Sequence, residues 1–157
     1  MAVYLKTSEE IGIMQEANQV VAAALQAIKK LAKPGVTTWE LEQVAEKTAL
    51  DHGAKPAFKG YKGSGPYPFP ASLCASVNEE VVHGIPSKER KLKEGDILSV
   101  DFGVLYRGFF GDSAITVPIG RISPQTERLL VVTSEALELG IQQAVAGNRI
   151  WQPGSIC

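Results

Sequence analysis

Two strands of alternating apolar and polar residues, joined by a short turn, constrain the fold of this chain more than any other feature. They occupy residues 97–117 and meet at residues 105–108, where a glycine is typical of a tight hairpin turn. Because strand side chains alternate between the two faces, the residues of each strand divide between its two sides. On the first strand, Leu98, Val100, Phe102 and Val104 share one face, and Ser99, Asp101 and Gly103 share the other.

Each strand of this predicted hairpin carries an aspartate near its middle. Asp101 lies on the first strand, and Asp112 shares a face of the second with Phe110, Ala114 and Thr116. A carboxylate buried in an apolar sheet costs several kcal/mol unless another group compensates its charge. The pattern leaves two interpretations open. Either the two aspartates are exposed at the rim or paired with a cation such as Arg107, or they converge on a divalent metal.

Composition places the chain among ordinary globular proteins and argues against several kinds of partner. It has 157 residues, 45% hydrophobic and 21% charged, and a net charge of -1, so we expect neither a nucleic acid nor an anionic membrane as partner. No apolar run approaches the ~20 residues of a membrane span. Cys74 and Cys157 lack the spacing of zinc ligands, and the acidic N-terminal segment does not resemble a signal peptide. We therefore expect a cytoplasmic protein.

Three helices are predicted from their starting signals. The first two begin with a Thr-x-x-Glu capping box, at residues 7–10 and 37–40. The first helix should end before Pro34, and the second at His52, which we expect to act as a cap rather than as a catalytic group. The third begins after the hairpin at Ser123, which is followed by a proline.

Residues 54–70, the aromatic loop, combine glycine and proline with four aromatic side chains. A loop of this composition either lines a pocket or packs on a core, and the sequence leaves the choice open. A histidine, His83, follows in a Val-Val-His-Gly-Ile-Pro segment, and taken alone it is more often structural than catalytic. The aromatic residues of the loop are Phe58, Tyr61, Tyr67 and Phe69.

Three segments together resemble a known family. The stretches NEEVVHGIP, GDILSVDFGV and GFFGDSAITV, in this order and spacing, resemble the N-terminal half of a type I methionine aminopeptidase. The resemblance extends over residues 7–150. It implies an α+β fold, the N-terminal half of a pita-bread domain, in which helices cover one face of an antiparallel sheet. Residues 1–150 would form this domain, and residues 151–157 would be an unrelated tail.

The resemblance also implies an activity and its residues. The family removes the initiator methionine from new polypeptides and uses divalent metal, commonly Co, Mn, Fe or Zn. Asp101 and Asp112 match two of its metal ligands, and His83 matches the histidine that contacts the substrate backbone. A glycine-rich insertion at residues 62–68 makes Tyr61 the least secure match in the methionine pocket. The residues that match this pocket are Phe58, Tyr61, Phe69 and Cys74.

The family completes its metal site with a histidine and two glutamates from its second half, which find no match in this sequence. The resemblance thus implies weak metal binding and little or no activity for the isolated chain, or alternatively a non-catalytic remnant that binds peptides or proteins. The chain also resembles aminopeptidase P and prolidase, but more weakly, and its segment NEEVVHGIP fits those families less well.

Two further expectations concern the end of the chain and its assembly. Residues 151–157 depart from the family pattern, which suggests a frameshift at Trp151 in a longer gene. A half-domain would leave apolar surface and strand edges open to water, so we expect a homodimer or a soluble aggregate.

Overall fold

The computed structural model describes residues 4–63 and 66–149 of the chain. The chain divides into two compact units, residues 1–121 and 122–157, and each is described separately. The predicted domain boundary at residue 150 and the proposed frameshift at Trp151 lie outside the described residues. The first unit contains α1 (Ser8–Leu31), α2 (Thr38–Asp51), β1 (Lys55–Pro56), β2 (Leu73–Val77), β3 (Ile97–Tyr106) and β4 (Phe109–Pro118), and the second contains α3 (Pro124–Gln143).

The four strands form one antiparallel sheet with β3 at its centre. Along one side β3 pairs with the whole of β4, from Ile97 opposite Pro118 to Tyr106 opposite Phe109. Along its other side it pairs with β2 and then with the two residues of β1. The hairpin turns at Arg107 and Gly108, which have φ angles of 48° and 84°. Two consecutive positive φ angles are the signature of a type I′ turn, so the predicted hairpin is confirmed.

One face of this sheet forms the hydrophobic core with α1 and α2. The four apolar side chains predicted to share a face of β3 are all completely buried there. The prediction that these residues share one apolar face of the first strand is therefore confirmed, and both helices contribute their apolar sides to the same cluster. The helix residues in the cluster are Ala17, Val20, Val21, Ala24, Leu25 and Ile28 of α1 and Leu41, Ala45 and Ala49 of α2.

The helix ends follow the chemistry that the sequence predicts. In both capping boxes the glutamate carboxylate accepts the backbone N–H of the threonine at 2.7 Å, and the threonine hydroxyl accepts the N–H of the glutamate at 3.2 Å. Helix α1 ends at Leu31, before Pro34. His52 caps α2, with its Nδ1 2.8 Å from the Thr48 carbonyl oxygen. These contacts confirm the predicted helix starts and the capping role of His52.

Helix α3 of the second unit begins where the sequence predicts, and its apolar residues are uncovered. Ser123 caps it by accepting the Thr126 N–H at 3.1 Å, and Pro124 is its first residue. No residue of α3 is buried within the described chain. Among residues 4–63 and 66–149, none of the helices has the length and apolar composition needed to cross a membrane. The exposed large apolar residues of α3 are Leu129, Val131, Val132, Leu137, Leu139 and Ile141.

Candidate metal centre and peptide pocket

The register of the sheet brings both aspartates to the face opposite the core. Asp101 pairs with Ala114, and Gly103 pairs with Asp112, so the two aspartates are diagonal neighbours on adjacent strands. Diagonal residues on one face lie about 7 Å apart or less, within reach of both side chains. On the other side of β3, Cys74 of β2 pairs with Asp101. Since paired residues share a face, Asp101, Asp112 and Cys74 point to the same side of the sheet.

The two carboxylates repel each other, and no cation pairs with them in the described structure. Burial, followed by the charge of Asp112 and a hydrogen bond to it, raises the pKa of Asp101, while His83 acts in the opposite direction. Arg107 forms its ion pair with Glu16 at 3.2 Å instead. The interpretation of Arg107 as a partner of these aspartates is therefore wrong. The pair instead carries a repulsion that a bound cation would relieve.

Cys74 contributes a neutral, apolar surface beside this pair. Its side chain is only 4% exposed. Burial, with the nearby charges of Asp101, Asp112 and Glu42, raises the pKa of the thiol to about 12. A thiol that keeps its proton at neutral pH is a poor metal ligand, because metals bind the thiolate. Cys74 is therefore suited to a wall of the site rather than to its metal.

A glycine in β3 allows an aromatic ring to cover the sheet next to the aspartates. A Cβ atom on Gly103 would lie 2.7 Å from Cε1 of the Phe58 ring, which real contacts do not permit. The backbone N–H of Ala57 donates to the Gly103 carbonyl oxygen at 2.8 Å and holds this part of the aromatic loop against the strand. Gly103 therefore fixes how closely Phe58 approaches the site.

Two hydrogen bonds anchor the segment that carries His83 to β2. The Ala75 N–H donates to the Gly84 carbonyl at 2.8 Å, and the Gly84 N–H donates to the Ser76 hydroxyl at 3.0 Å. A Cβ on Gly84 would lie within 2.4 Å of the Ala75 carbonyl oxygen, so only glycine fits there. His83 has a φ of 60°, an uncommon conformation for a residue other than glycine. The anchored glycine and this backbone turn direct the exposed His83 to the site.

These groups border one open cavity of about 600 Å³. It brings together every residue that the sequence analysis assigned to the site. Three further lining residues were not assigned individually: two of them belong to the aromatic loop, and the third lies two positions after His83. The assigned residues are Phe58, Tyr61, Phe69, Cys74, His83, Asp101 and Asp112, and the additional ones are Gly63, Tyr67 and Ile85.

A buried glutamate that the sequence analysis missed positions one wall of the cavity. Glu42 of α2 is 2% exposed and accepts the backbone N–H groups of Ser72 and Leu73 at 2.7 and 2.9 Å. These bonds fix the start of β2 directly before Cys74. The available signal was a charged residue within the apolar stripe of a helix.

Comparison with known proteins identifies the family. The profile of metallopeptidase family M24 matches residues 12–157, which is most of the chain. The chain belongs to metallopeptidase family M24.

Several relatives of the chain are methionine aminopeptidases. The chain is 48% identical to the methionine aminopeptidase of Aquifex aeolicus over 96% of its own length and 58% of that protein. It is 50% identical to methionine aminopeptidase 1 of Bacillus subtilis, over 92% of the chain and 56% of that protein. The crystal structure of the Thermotoga maritima methionine aminopeptidase superposes with a TM-score of 0.84 at 42% identity, over 92% of this chain and 55% of that one. The α+β, pita-bread prediction is thereby confirmed, and the chain spans a little over half the length of these relatives.

A divalent metal, as the M24 metallopeptidase family implies, fits the donor chemistry of this site in part. Asp101 and Asp112 offer hard oxygen ligands, and their repulsion favours a cation between them. Within the described ranges, no third His, Cys, Asp or Glu joins them in a group able to hold a metal ion. If a metal binds here, the two carboxylates would supply part of its coordination shell, and water or other donors would have to complete it.

Proposed function

We propose that this chain carries the methionine-binding pocket and two metal ligands of a methionine aminopeptidase site. The observation that supports this most directly is the diagonal pair of Asp101 and Asp112 at one side of an apolar cavity. When bound there, a divalent cation such as Co, Mn, Fe or Zn would polarise a peptide carbonyl and lower the pKa of a bound water. The two aspartates would hold this cation.

The apolar part of the cavity is suited to the side chain of an N-terminal methionine. Phe58 and Phe69 are half-buried aromatic rings, and Cys74 is a buried neutral thiol. A thioether packs favourably against aromatic edges and other polarisable groups. We assign the binding of the methionine side chain to these three residues and Tyr61, and we take a peptide with a free N-terminal methionine as the ligand.

His83 is placed to bind the backbone of the same peptide. It borders the cavity together with the two aspartates, and its side chain is exposed. A neutral imidazole can donate one hydrogen bond and accept another. We propose that His83 orients the carbonyl or amide next to the bond that the family cleaves.

We further propose that the 157 residues alone bind metal weakly and turn over substrate slowly or not at all. A divalent cation in an oxygen site takes about six ligands, and two carboxylates leave most positions to water. The family activity, removal of N-terminal methionine from nascent polypeptides, would then need donors that the described residues do not supply. The free thiol of Cys74 fits the reducing cytoplasm, where we place this function.

Titration calorimetry with Mn²⁺ tests the metal site. We expect a dissociation constant of about 10⁻⁴–10⁻³ M or weaker for the wild-type chain, as in other weak cation sites. Asp112→Asn should weaken binding at least about tenfold, as loss of metal-site partners commonly does. Asp51→Asn is the matched control, because Asp51 lies on α2 in an exposed ion pair with Lys47. Equal binding by all three proteins would refute the assignment.

Release of methionine from a Met-Ala peptide, measured beside a full-length relative, tests the proposal that the chain alone has little or no activity. We expect turnover far below that of the relative even with added Mn²⁺ or Co²⁺. Turnover within about tenfold of the relative, abolished by Asp112→Ala, would show that the chain completes its own site.

A second candidate function is a non-catalytic module that binds peptides or another protein, and exposed surface favours it. Among the described strands, β4 pairs only with β3. On its other edge the Asp112 N–H donates to the Asn18 side chain at 3.3 Å, and the remaining backbone groups of that edge are available to a partner. Separately, α3 exposes a broad set of large apolar side chains. We propose that a second copy of the chain covers part of this surface in a homodimer. Light scattering at several concentrations should show a mass that increases with concentration, and a monomer at high micromolar concentration would contradict this.

A further inference from the structure

The cavity is larger than the side chain that the proposed function places in it. At roughly 30 Å³ for each water-sized group, the four heavy atoms of a methionine side chain fill about 120 Å³. The cavity holds about 600 Å³. Space therefore remains for another part of the peptide or for water.

The side chains that line the cavity differ in their exposure to solvent, and on this basis we distinguish an inner and an outer zone. The inner wall contains the buried Cys74 and the half-buried rings of Phe58 and Phe69. The outer wall contains Tyr61 and Tyr67, whose side chains are mostly exposed. Ile85, next to the His83 segment, is the third exposed residue of this outer zone. Apolar surface that is held open to water in this way gains free energy when a ligand covers it.

Tyr67 is the most exposed of these residues, and its backbone is well constrained. The chain closes on itself at the base of the loop, because the Phe69 N–H donates to the Tyr61 carbonyl at 2.9 Å and the Gly60 N–H donates to the Phe69 carbonyl at 2.8 Å. Pro66 and Pro68 flank Tyr67, which restricts its backbone and lowers the entropy that ordering costs. The ring is 82% exposed and contributes little to the core. Its position at the cavity is thus better explained by binding than by stability.

The geometry of an extended peptide indicates which residue would reach this outer zone. Side chains alternate along an extended chain, so those of residues one and three lie on the same side, about 7 Å apart. With methionine in the inner zone, the third residue is the next one whose side chain returns to the cavity. Aromatic rings bind other rings in stacked or edge-to-face arrangements.

We propose that Tyr67 and Ile85 form an outer subsite that binds an aromatic or large apolar side chain at the third position of the peptide, with Tyr61 shared between this subsite and the methionine pocket. This inference rests on the proposed function, since it takes the N-terminal methionine as bound in the inner zone. Tyr67 is accordingly a specificity-determining residue, and it takes no part in metal binding.

The test compares four free-amine peptide amides, Met-Ala-Phe, Met-Ala-Ser, Gly-Ala-Phe and Gly-Ala-Ser, by calorimetry or NMR titration in the presence of a chelator. We expect the wild-type chain to bind Met-Ala-Phe about three- to tenfold more tightly than Met-Ala-Ser. Tyr67→Ala should abolish this preference and leave the preference for Met-Ala-Ser over an N-terminal glycine analogue, Gly-Ala-Ser, unchanged. Tyr67→Phe should retain the preference, because it keeps the ring. Tyr4→Ala is a matched control, since Tyr4 is also 82% exposed and does not line the cavity.

Two negative results separate the two proposals. Equal binding of Met-Ala-Phe and Met-Ala-Ser, or a preference that survives in Tyr67→Ala, would overturn the outer subsite. Equal binding of Met-Ala-Phe and Gly-Ala-Phe would overturn the methionine pocket itself. Absence of saturable binding of any peptide at about 10 mM would overturn both.

Discussion

The two faces of the β-sheet are made from alternate residues of the same strands, and they serve opposite purposes. On one face, the apolar residues of β3 are completely buried beneath α1 and α2. On the other, Asp101 and Asp112 lie side by side at an open cavity. One face gains stability from burial, whereas the other retains a charge repulsion that burial does not relieve. Strand alternation thus lets a single hairpin separate stability from binding.

Truncation of Phe102 on the core face should have the largest effect on stability. Phe102 is the largest fully buried side chain of the core, and Phe102→Ala removes its contacts and leaves a cavity. We expect a loss of about 3–5 kcal/mol in the free energy of unfolding, measured by urea denaturation. Ser99→Ala, on the opposite face of the same strand, is the control and should change stability far less. Similar losses for both variants would show that the two faces do not differ as described.

Addition of one methyl group to Gly111 should have the next largest effect on stability. Gly111 of β4 is buried against α1, and a Cβ there would lie 2.7 Å from the carbonyl carbon of Ala17. Because helix backbone cannot move without disturbing the core, Gly111→Ala should cost about 1–3 kcal/mol. Thermal or urea unfolding measures this. A variant as stable as wild type would mean that α1 and β4 are less closely packed than the structure indicates.

The same substitution at Gly103 should affect binding more than stability. Its Cβ would meet the ring of Phe58 rather than a backbone, and this half-buried ring can move away. We expect Gly103→Ala to lose less than about 1 kcal/mol of stability and to bind methionine peptides roughly fivefold more weakly, since Phe58 is displaced. Peptide titration and urea unfolding of the same sample separate the two effects. If Gly103→Ala lost more stability than Gly111→Ala, the contrast between the site face and the core face would be wrong.

Local chemistry explains why much of the fold is predictable from sequence. The capping boxes depend on a threonine and a glutamate three residues apart, and the hairpin depends on strand alternation and a glycine turn. By contrast, β1 was not predicted. It has only two residues, Lys55 and Pro56, and it is a strand only because they pair with Leu105 and Val104 of β3.

The site was predictable where it depended on strand alternation and not where it depended on distant contacts. The common face of Asp101 and Asp112 follows from residue parity along the hairpin. The true partner of Arg107 is Glu16, ninety-one positions away in sequence, which no local pattern indicates. The same is true of Glu42, which binds the start of β2 across thirty positions.

Replacement of Asp101 by asparagine should have the smallest effect on stability, and it should be stabilising. Burial, and then Asp112, raise the pKa of Asp101 above its ordinary value of 3.8. Because the pKa in the folded state is raised above that in the unfolded state, the favourable contribution of Asp101 is complete below the unfolded pKa. It is lost as the pH rises through the folded pKa. At pH 7 the ionised carboxylate therefore costs stability, and Asp101→Asn removes this cost.

The expected gain for Asp101→Asn is below about 1 kcal/mol, because the site is partly exposed and solvent screens the repulsion. Urea unfolding without metal should show this gain at pH 7, and the difference from wild type should decrease as the pH falls towards about 4. Asp51→Asn, which removes an exposed carboxylate with a lysine partner, should show no such gain. Millimolar Mn²⁺ should reduce or reverse the advantage of Asp101→Asn, because the cation stabilises only the chain that keeps both carboxylates. If Asp101→Asn were less stable than wild type at pH 7 without metal, the two aspartates would not repel each other, and the main reason for placing a cation between them would be lost.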